Sequence, residues 1–206
     1  ASVQDSLLSP DIATAELRIA DVSHCWPNGQ QALDHCNLSI SRPGLWMLVG
    51  SNGSGKSTLF RLIAGLLKPQ TGTINTRHRP ALVFQNPDHQ LLMPSCRSDL
   101  ILGMDPCLGS SERRERVRRR LNDLGLAGLE RRPIHALSGR QKQRLAIAGA
   151  LASEATLLLL DEPTALLDPD SQASVLAAVQ ELCRRPDAPL TALWITHRLE
   201  ELASAD

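Results

Sequence analysis

Tyrosine is absent from the 206-residue chain, and only two phenylalanines and three tryptophans are present. With so few rings, the apolar core has to be mainly aliphatic. An excess of either charge is also missing, since 22 Lys and Arg balance 22 Asp and Glu. The chain therefore lacks the positive field by which bulk electrostatics draws a protein onto nucleic acid, although a local basic patch is compatible with neutrality. No stretch approaches the roughly 18 apolar residues of a membrane span. The densest, Leu157–Leu160, has strand length. The N-terminal ASVQDSLLSPD has neither the basic start nor the long apolar run of a secretory signal. The five cysteines, Cys25, Cys36, Cys96, Cys107 and Cys183, form an odd set without C-x-x-C spacing. That favours reduced, buried or half-buried thiols in a cytosolic protein over a disulfide framework or a zinc site.

With 42% hydrophobic and 21% charged residues, the composition is that of a globular domain rather than a disordered chain. Strand and helix patterns alternate along it. Residues 15–22 alternate apolar and polar, 38–40 make a short strand candidate, and 45–49 (LWMLV) form a run suited to a strand buried on both faces. A helix is predicted from Lys56 to about Leu67, with Leu59, Leu62, Ile63 and Leu66 as its apolar stripe and Lys68-Pro69 as its stop. Residues 73–75 and 81–84 read as further strands. A helix over 112–124 would bury Val117, Leu121 and Leu124 and stop at Gly125, and Ser138 opens another to about Ser153. A buried strand at 157–160, a helix at 169–185, a strand at 190–196 and a helix start at 198–204 complete the pattern. Such alternation predicts an α/β fold with a largely parallel sheet. The short, helical, Arg-rich middle from about 86 reads as a lobe inserted into it.

Arg113, Arg114, Arg116, Arg118, Arg119 and Arg120 crowd that middle. Interleaved Glu112, Glu115 and Asp123, and the lack of rings to stack on bases, favour a solvated helix face over a nucleic-acid patch.

Gly50-Ser51-Asn52-Gly53-Ser54-Gly55-Lys56-Ser57 fits G-x-x-x-x-G-K-S/T, the Walker A pattern, after a buried strand and before a helix. Glycines let the backbone close round phosphate oxygens, and successive N–H groups at the positive end of the following helix form an anion nest. Lys56 would reach the terminal phosphates, Ser57 would ligate Mg²⁺, and Thr58 continues the first helical turn. Downstream, Leu157–Leu160 runs into Asp161 and Glu162. The C-terminal end of a parallel strand is where such sheets bind ligands. Asp161 would hold Mg²⁺ through water and Glu162 would polarise an attacking water. Alone, this acidic pair could equally cap a helix; beside the phosphate loop it favours a nucleotide site.

Leu137-Ser138-Gly139-Arg140-Gln141, shortly before the acidic strand, resembles the L-S-G-G-Q signature of the ATP-binding-cassette (ABC) ATPases. Further positions follow in that family's order: Gln85 resembles the Q-loop glutamine, Asp168 the D-loop aspartate and His197 the switch histidine. The resemblance runs from about residue 15 to the end. It implies a P-loop NTPase fold with an ABC-ATPase core, an N-terminal antiparallel β portion and an inserted helical lobe. The chain would be one such domain, with a core of about 15–85 and 154–206 and a helical subdomain of about 86–153. Two subunits, identical or paralogous, would pair head to tail, placing each ATP between Lys56 of one and Ser138, Gly139 and Gln141 of the other. Glu162, His197 and Gln85 would serve hydrolysis, Ser57, Gln85 and Asp161 would hold Mg²⁺, and Asp168 would communicate across the interface. Trp26 falls where the family places an aromatic residue on adenine, with simple packing as the alternative.

Gln85-Asn86-Pro87-Asp88-His89-Gln90 resembles a stretch of the energy-coupling-factor and cobalt-type importer ATPases, where it faces a membrane coupling subunit. The neighbouring Leu91-Leu92-Met93 would either dock on that partner or pack inside the helical lobe. The implied protein is a cytoplasmic ATPase, peripheral on the inner face of the membrane, that powers a metal-ion or vitamin importer. The alternatives are a non-transport ABC ATPase and an ATP-binding regulatory subunit with impaired hydrolysis. Arg140 stands where the signature has its second glycine, and the chain stops soon after His197, which reads as either a truncated C-terminus or an unusually short member of the family.

Overall fold

Two sheets, rather than one, carry the strands in a computed structural model that describes residues 15–205. The N-terminal ASVQDSLLSPD, which lacks the features of a secretory signal, lies outside the described residues. β1 (Leu17–Cys25), β2 (Gln31–Ile40) and β4 (Thr71–Asn75) form an antiparallel sheet in the order β2-β1-β4. β2 is longer than the three-residue strand expected at 38–40, because its exposed polar residues hide it from a hydrophobicity pattern. β3 (Gly44–Val49), β5 (Pro80–Val83), β6 (Leu157–Asp161) and β7 (Thr191–Thr196) form a parallel sheet in the order β3-β7-β6-β5.

The parallel sheet divides its side chains by the two-residue strand period. Leu157, Leu159, Leu193 and Ile195 face α1 (Lys56–Ile63) and the antiparallel sheet. Leu158, Leu160, Ala192 and Trp194 face the opposite core, built with α4 (Gly139–Ala152) and α5 (Pro169–Cys183). The core is mainly aliphatic, although two of the scarce rings, Phe60 and Trp194, are fully buried within it.

α1 ends before its expected stop. Gly65 turns left-handed (φ +75°) just past Ala64, taking Leu66 off the apolar stripe and leaving it 63% exposed. Between β5 and β6 lie α2 (Cys96–Leu102), α3 (Ser110–Asp123) and α4. α3 closes as its sequence suggests. Gly125 is left-handed, its N–H donates to the Asn122 carbonyl (3.1 Å) and the Leu126 N–H to the Leu121 carbonyl (2.7 Å), a Schellman closure. The arginines of α3 are solvated or paired: Arg116 meets Glu112 (3.2 Å) and Glu154 (3.1 Å), Arg118 meets Glu115, and Arg120 meets Asp123 (3.1 Å). Residues 199–204 form a 3₁₀ stretch where an α-helix start was expected. No helix among the described residues is long and apolar enough to cross a membrane. Cys96 and Cys183 are buried and Cys25 and Cys36 half-buried, all unbridged, whereas Cys107 is exposed, contrary to expectation.

The two sheets meet at a polar seam that no local pattern announces. Glu16, 1% exposed, receives Arg77 and His78 from beyond β4 and Thr191 (3.0 Å) from β7. Burial alone would raise its pKa, but the hydrogen bonds from His78 and Thr191, with the His78 and Arg77 charges, hold it below the ordinary value.

Candidate functional site

The first hollow forms where β3 hands over to α1. The chain leaves Val49 and turns through Gly53 (φ +81°) and Gly55 (φ +84°) before the helix starts. Gly55 has no substitute, since a Cβ there would stand 2.1 Å from the Ala32 carbonyl oxygen. α1 carries no side-chain cap, so its first-turn N–H groups are left for a ligand. Lys56 folds back into the loop, and its Nζ donates to the Gly50 carbonyl (2.8 Å), the Ser51 carbonyl (2.7 Å) and Ser54 Oγ (2.8 Å). A hollow of about 200 Å³ is lined by Asn52, Gly53, Ser54, Gly55, Lys56, Ser57 and Thr58, with Trp26, Gln30, Ala32 and Glu162 around them. Pattern reading missed Gln30 and Ala32. They enter because β2 folds back past the loop after the turn at Asn28-Gly29.

Trp26 is half-buried, and its ring meets His24 edge-on (centroids 5.2 Å apart, planes at 88°) while lining the same hollow. The arrangement offers a flat π-surface beside a phosphate cradle.

β6 and β7 bring the acidic and histidine positions to the same end of the sheet. Asp161 accepts a hydrogen bond from Ser57. Its carboxyl is raised above its ordinary pKa, first by burial and further by the Glu162 charge, against the pull of Ser57, Arg61 and Lys56. Glu162 follows in a left-handed conformation (φ 46°), its N–H donating to the Ile195 carbonyl (3.1 Å). His197 Nδ1 lies 3.4 Å from Glu162 Oε2. Ser57 and Asp161 are adjacent oxygen donors of the kind Mg²⁺ takes beside phosphate oxygens and water. No group of three His, Cys, Asp or Glu among the described residues could hold a metal by itself. The Ser57–Asp161 pair fits a metal that takes its remaining ligands from phosphate and water.

Gln85 is exposed just beyond β5. The segment after it is fastened at several points. Gln90 accepts from the Phe84 N–H (3.1 Å) and donates to the Leu82 carbonyl (3.2 Å), Gln143 donates to the Phe84 carbonyl (3.1 Å), and Lys142 pairs with Asp88 (2.7 Å). Leu91 packs on the core while Leu92 is 73% exposed, so the three-residue apolar run is not buried as a unit in the helical lobe.

Ser138, Gly139 and Asp168 line a separate hollow with Arg140, Leu166, Leu167, Asp170 and Ser171. Ser138 Oγ accepts from the Gln141 N–H (3.2 Å), and Gln141 Oε1 accepts from the Ser138 N–H (2.9 Å), a closed capping box. Gln141 thus serves its own helix here. Asp168 caps α5, and hydrogen bonds from the Ser171 hydroxyl (2.6 Å) and N–H (3.0 Å) hold its carboxyl below the ordinary value. Arg140 is exposed beside it. A larger cleft of about 540 Å³ lies between Arg97, Arg114, Arg118 and Arg131, away from the phosphate loop and its acidic partners.

Comparison with known proteins agrees with this geometry. Residues 33–165 match the ABC transporter family. The chain is 45% identical over 176 residues to ABC transporter I family member 10 of Arabidopsis thaliana, covering 84% of this chain and 65% of that protein. It is 42% identical over 190 residues to the energy-coupling factor transporter ATP-binding protein EcfA1 of Symbiobacterium thermophilum, covering 85% and 66%. The chain therefore spans just under two thirds of the length of these relatives. Among solved structures, CbiO1 of Clostridium perfringens, part of the ABC transporter complex CbiONQ, superposes with a TM-score of 0.85 at 32% identity, covering 94% of this chain and 83% of that one. A dimeric ATP-binding cassette in a post-hydrolysis state with ADP and Pi superposes with a TM-score of 0.75 at 25% identity, covering 92% and 91%. Walker loop, acidic strand end and signature helix stand in one fold shared with these proteins, and the chain belongs to the ABC transporter family of ATP-binding proteins.

Proposed function

We propose that the chain is a Mg²⁺-dependent ATPase subunit that pairs head to tail with a second ABC ATPase subunit and powers a membrane importer of metal-ion or vitamin type. The observation that carries this reading is the division of the site. The phosphate loop, Trp26 and Glu162 line one hollow, while Ser138, Gly139 and Asp168 line another on the same chain. Two half-sites lined by separate residues on one chain would become whole sites when two chains pair antiparallel.

In this reading Trp26 stacks on adenine, and the amides of residues 50–58 with Lys56 take the phosphates. Ser57, Asp161 and Gln85 hold Mg²⁺, which would neutralise charge on the phosphate oxygens. Glu162 orients and polarises the attacking water, with His197 against its carboxylate. Ser138, Gly139 and Gln141 present the start of α4 to the partner's nucleotide, and Asp168 lies against the partner. In the same reading the domain comprises a core of about 15–85 and 154–206 and a helical subdomain of about 86–153. The names of the EcfA1 and CbiO1 relatives, an ATP-binding protein of an energy-coupling factor transporter and a part of the ABC transporter complex CbiONQ, support a role as the ATP-binding part of a transporter with further subunits. A coupling subunit would place the ATPase on the cytoplasmic membrane face, and the exposed Leu92 beside the fastened 85–90 segment suits such a contact.

Phosphate release from the purified chain with Mg-ATP, and its loss in EDTA, tests the activity. Glu162→Gln is expected to lower turnover by about 10²–10⁴-fold and to accumulate an ATP-bound dimer by light scattering. A variant that stays monomeric with Mg-ATP would count against the paired mechanism.

A further inference from the structure

We propose that Glu201 is a positioning residue for hydrolysis: it clips the turn that follows Glu162 to the segment that carries His197. The proposal deepens the ATPase reading and rests on it. Glu201 lies in the 3₁₀ stretch after His197 and is 7% exposed. Its Oε1 accepts from Thr164 Oγ1 (2.7 Å) and its Oε2 from Trp194 Nε1 (3.1 Å). Thr164 is 2% exposed and Trp194 fully buried. Both donors are neutral, and no cation pairs with Glu201 among the described residues. Such a buried carboxylate is a costly way to fill space, whereas two acceptor oxygens on one short side chain suit a bridge between two segments.

A second tie runs beside the first. Gln172 is 8% exposed, and its Nε2 donates to the carbonyls of Thr164 (3.3 Å) and Leu167 (2.6 Å), while its Oε1 accepts from Arg198. The 162–168 turn, with Glu162 at one end and Asp168 at the other, is therefore held from both Arg198 and Glu201, the residues flanking Leu199 and Glu200 just after His197. Glu162 needs such support. Its left-handed backbone (φ 46°) is a conformation that a non-glycine residue keeps only when its surroundings impose it. The 3.4 Å separation of Glu162 and His197 is a distance between two loops, and the clip joins those loops.

Three variants test this. Glu201→Met keeps the length of the side chain and removes both acceptor oxygens. Thr164→Val removes the hydroxyl and keeps the shape, and Thr164→Ser keeps the hydroxyl. In Glu201→Met and Thr164→Val, kcat is expected to fall by about tenfold or more, with the ATP KM and the nucleotide Kd changing less than about twofold. By hydrogen exchange, the amides of Glu162, Ala165 and Leu167 should open about tenfold faster, while β3 and α1 exchange as in the unmodified chain. Thr164→Ser should restore both readouts, and the Glu201→Met/Thr164→Val double variant should be no worse than the weaker single one. Unchanged exchange at these three amides, faster exchange throughout the chain, or equal losses in kcat and affinity would overturn the proposal. A chain that released no phosphate at all would sink the ATPase reading, and the exchange pattern would still decide the clip.

Discussion

The phosphate-loop hollow and the signature hollow each lie at the start of a helix, yet they are finished in opposite ways. α1 begins at a left-handed glycine with no side-chain cap and with a lysine drawn back into the loop. α4 begins with a closed capping box in which Ser138 and Gln141 satisfy each other's N–H groups. The first helix leaves its amides to a ligand and encloses them. The second satisfies two of its donors internally and offers the Gly139 and Arg140 amides at an open surface. Both use the positive end of a helix dipole and each hollow has a cation, but Lys56 is folded into its loop by three hydrogen bonds whereas Arg140 is exposed beside the second. In the proposed function the first binds an anion alone, and the second touches an anion brought to it.

The acids differ in the same sense. Burial pushes Asp161 up, while Ser171 pulls Asp168 down. A raised carboxylate means that the folded chain holds its proton to higher pH than the unfolded chain. Asp161 therefore costs stability as pH rises from about its ordinary 3.8 through the folded value. Asp168 contributes stability above its ordinary value and loses it as pH falls through the depressed one.

Lys56→Ala should have the largest effect on this contrast, weakening ATP binding by about 10- to 100-fold, in line with roughly 1.5–3 kcal/mol for charged hydrogen bonds. Calorimetry checks it, and unchanged affinity would remove the first hollow's claim to the phosphates. Asp161→Asn should flatten the fall in stability above pH 3.8 in thermal melts without nucleotide, and should cancel the extra stabilisation by Mg²⁺ over ATP alone. A variant that melts like the unmodified chain at every pH would contradict the buried-acid account. Ser138→Ala should cost about 1 kcal/mol in denaturant unfolding through the lost cap, with ATP affinity of the single chain unchanged. If affinity fell as far as in Lys56→Ala, the two hollows would not be functionally distinct. Smallest of all, Arg118→Ala removes one exposed ion pair and should stay within about 0.5 kcal/mol.

Much of the fold was legible where a local rule acts alone. The apolar run at 157–160 reads directly as a strand buried on both faces, and Gly125 as the end of α3, because each signal lies within a few residues of its effect. Reading failed where a longer-range contact or a single backbone turn intervened. Leu66 has the right spacing for the α1 stripe, but Gly65 diverts the chain first. β2 is supported by ladder bonds to β1 more than by its own pattern. Glu16 has no marked local context, since Arg77, His78 and Thr191 reach it from distant segments of the chain. Of the candidate site, the Walker loop, the acidic pair and the signature were visible as motifs. Gln30, Ala32, Gln143 and Glu201 were not, because their positions depend on how sheets and loops return.

The sequence by itself determined the chemistry of the parts: a glycine loop with its lysine, a strand ending in two acids, and a helix with a Ser-x-x-Gln start. These are short-range features, set by backbone freedom, side-chain type and hydrogen bonds within a few residues. Only the tertiary structure decided how the parts are distributed, with Trp26 and Glu162 brought to the phosphate loop and Ser138 with Asp168 set apart from it. Strand order and the burial of two sheet faces fix those distances, and both arise from packing between segments far apart in the chain.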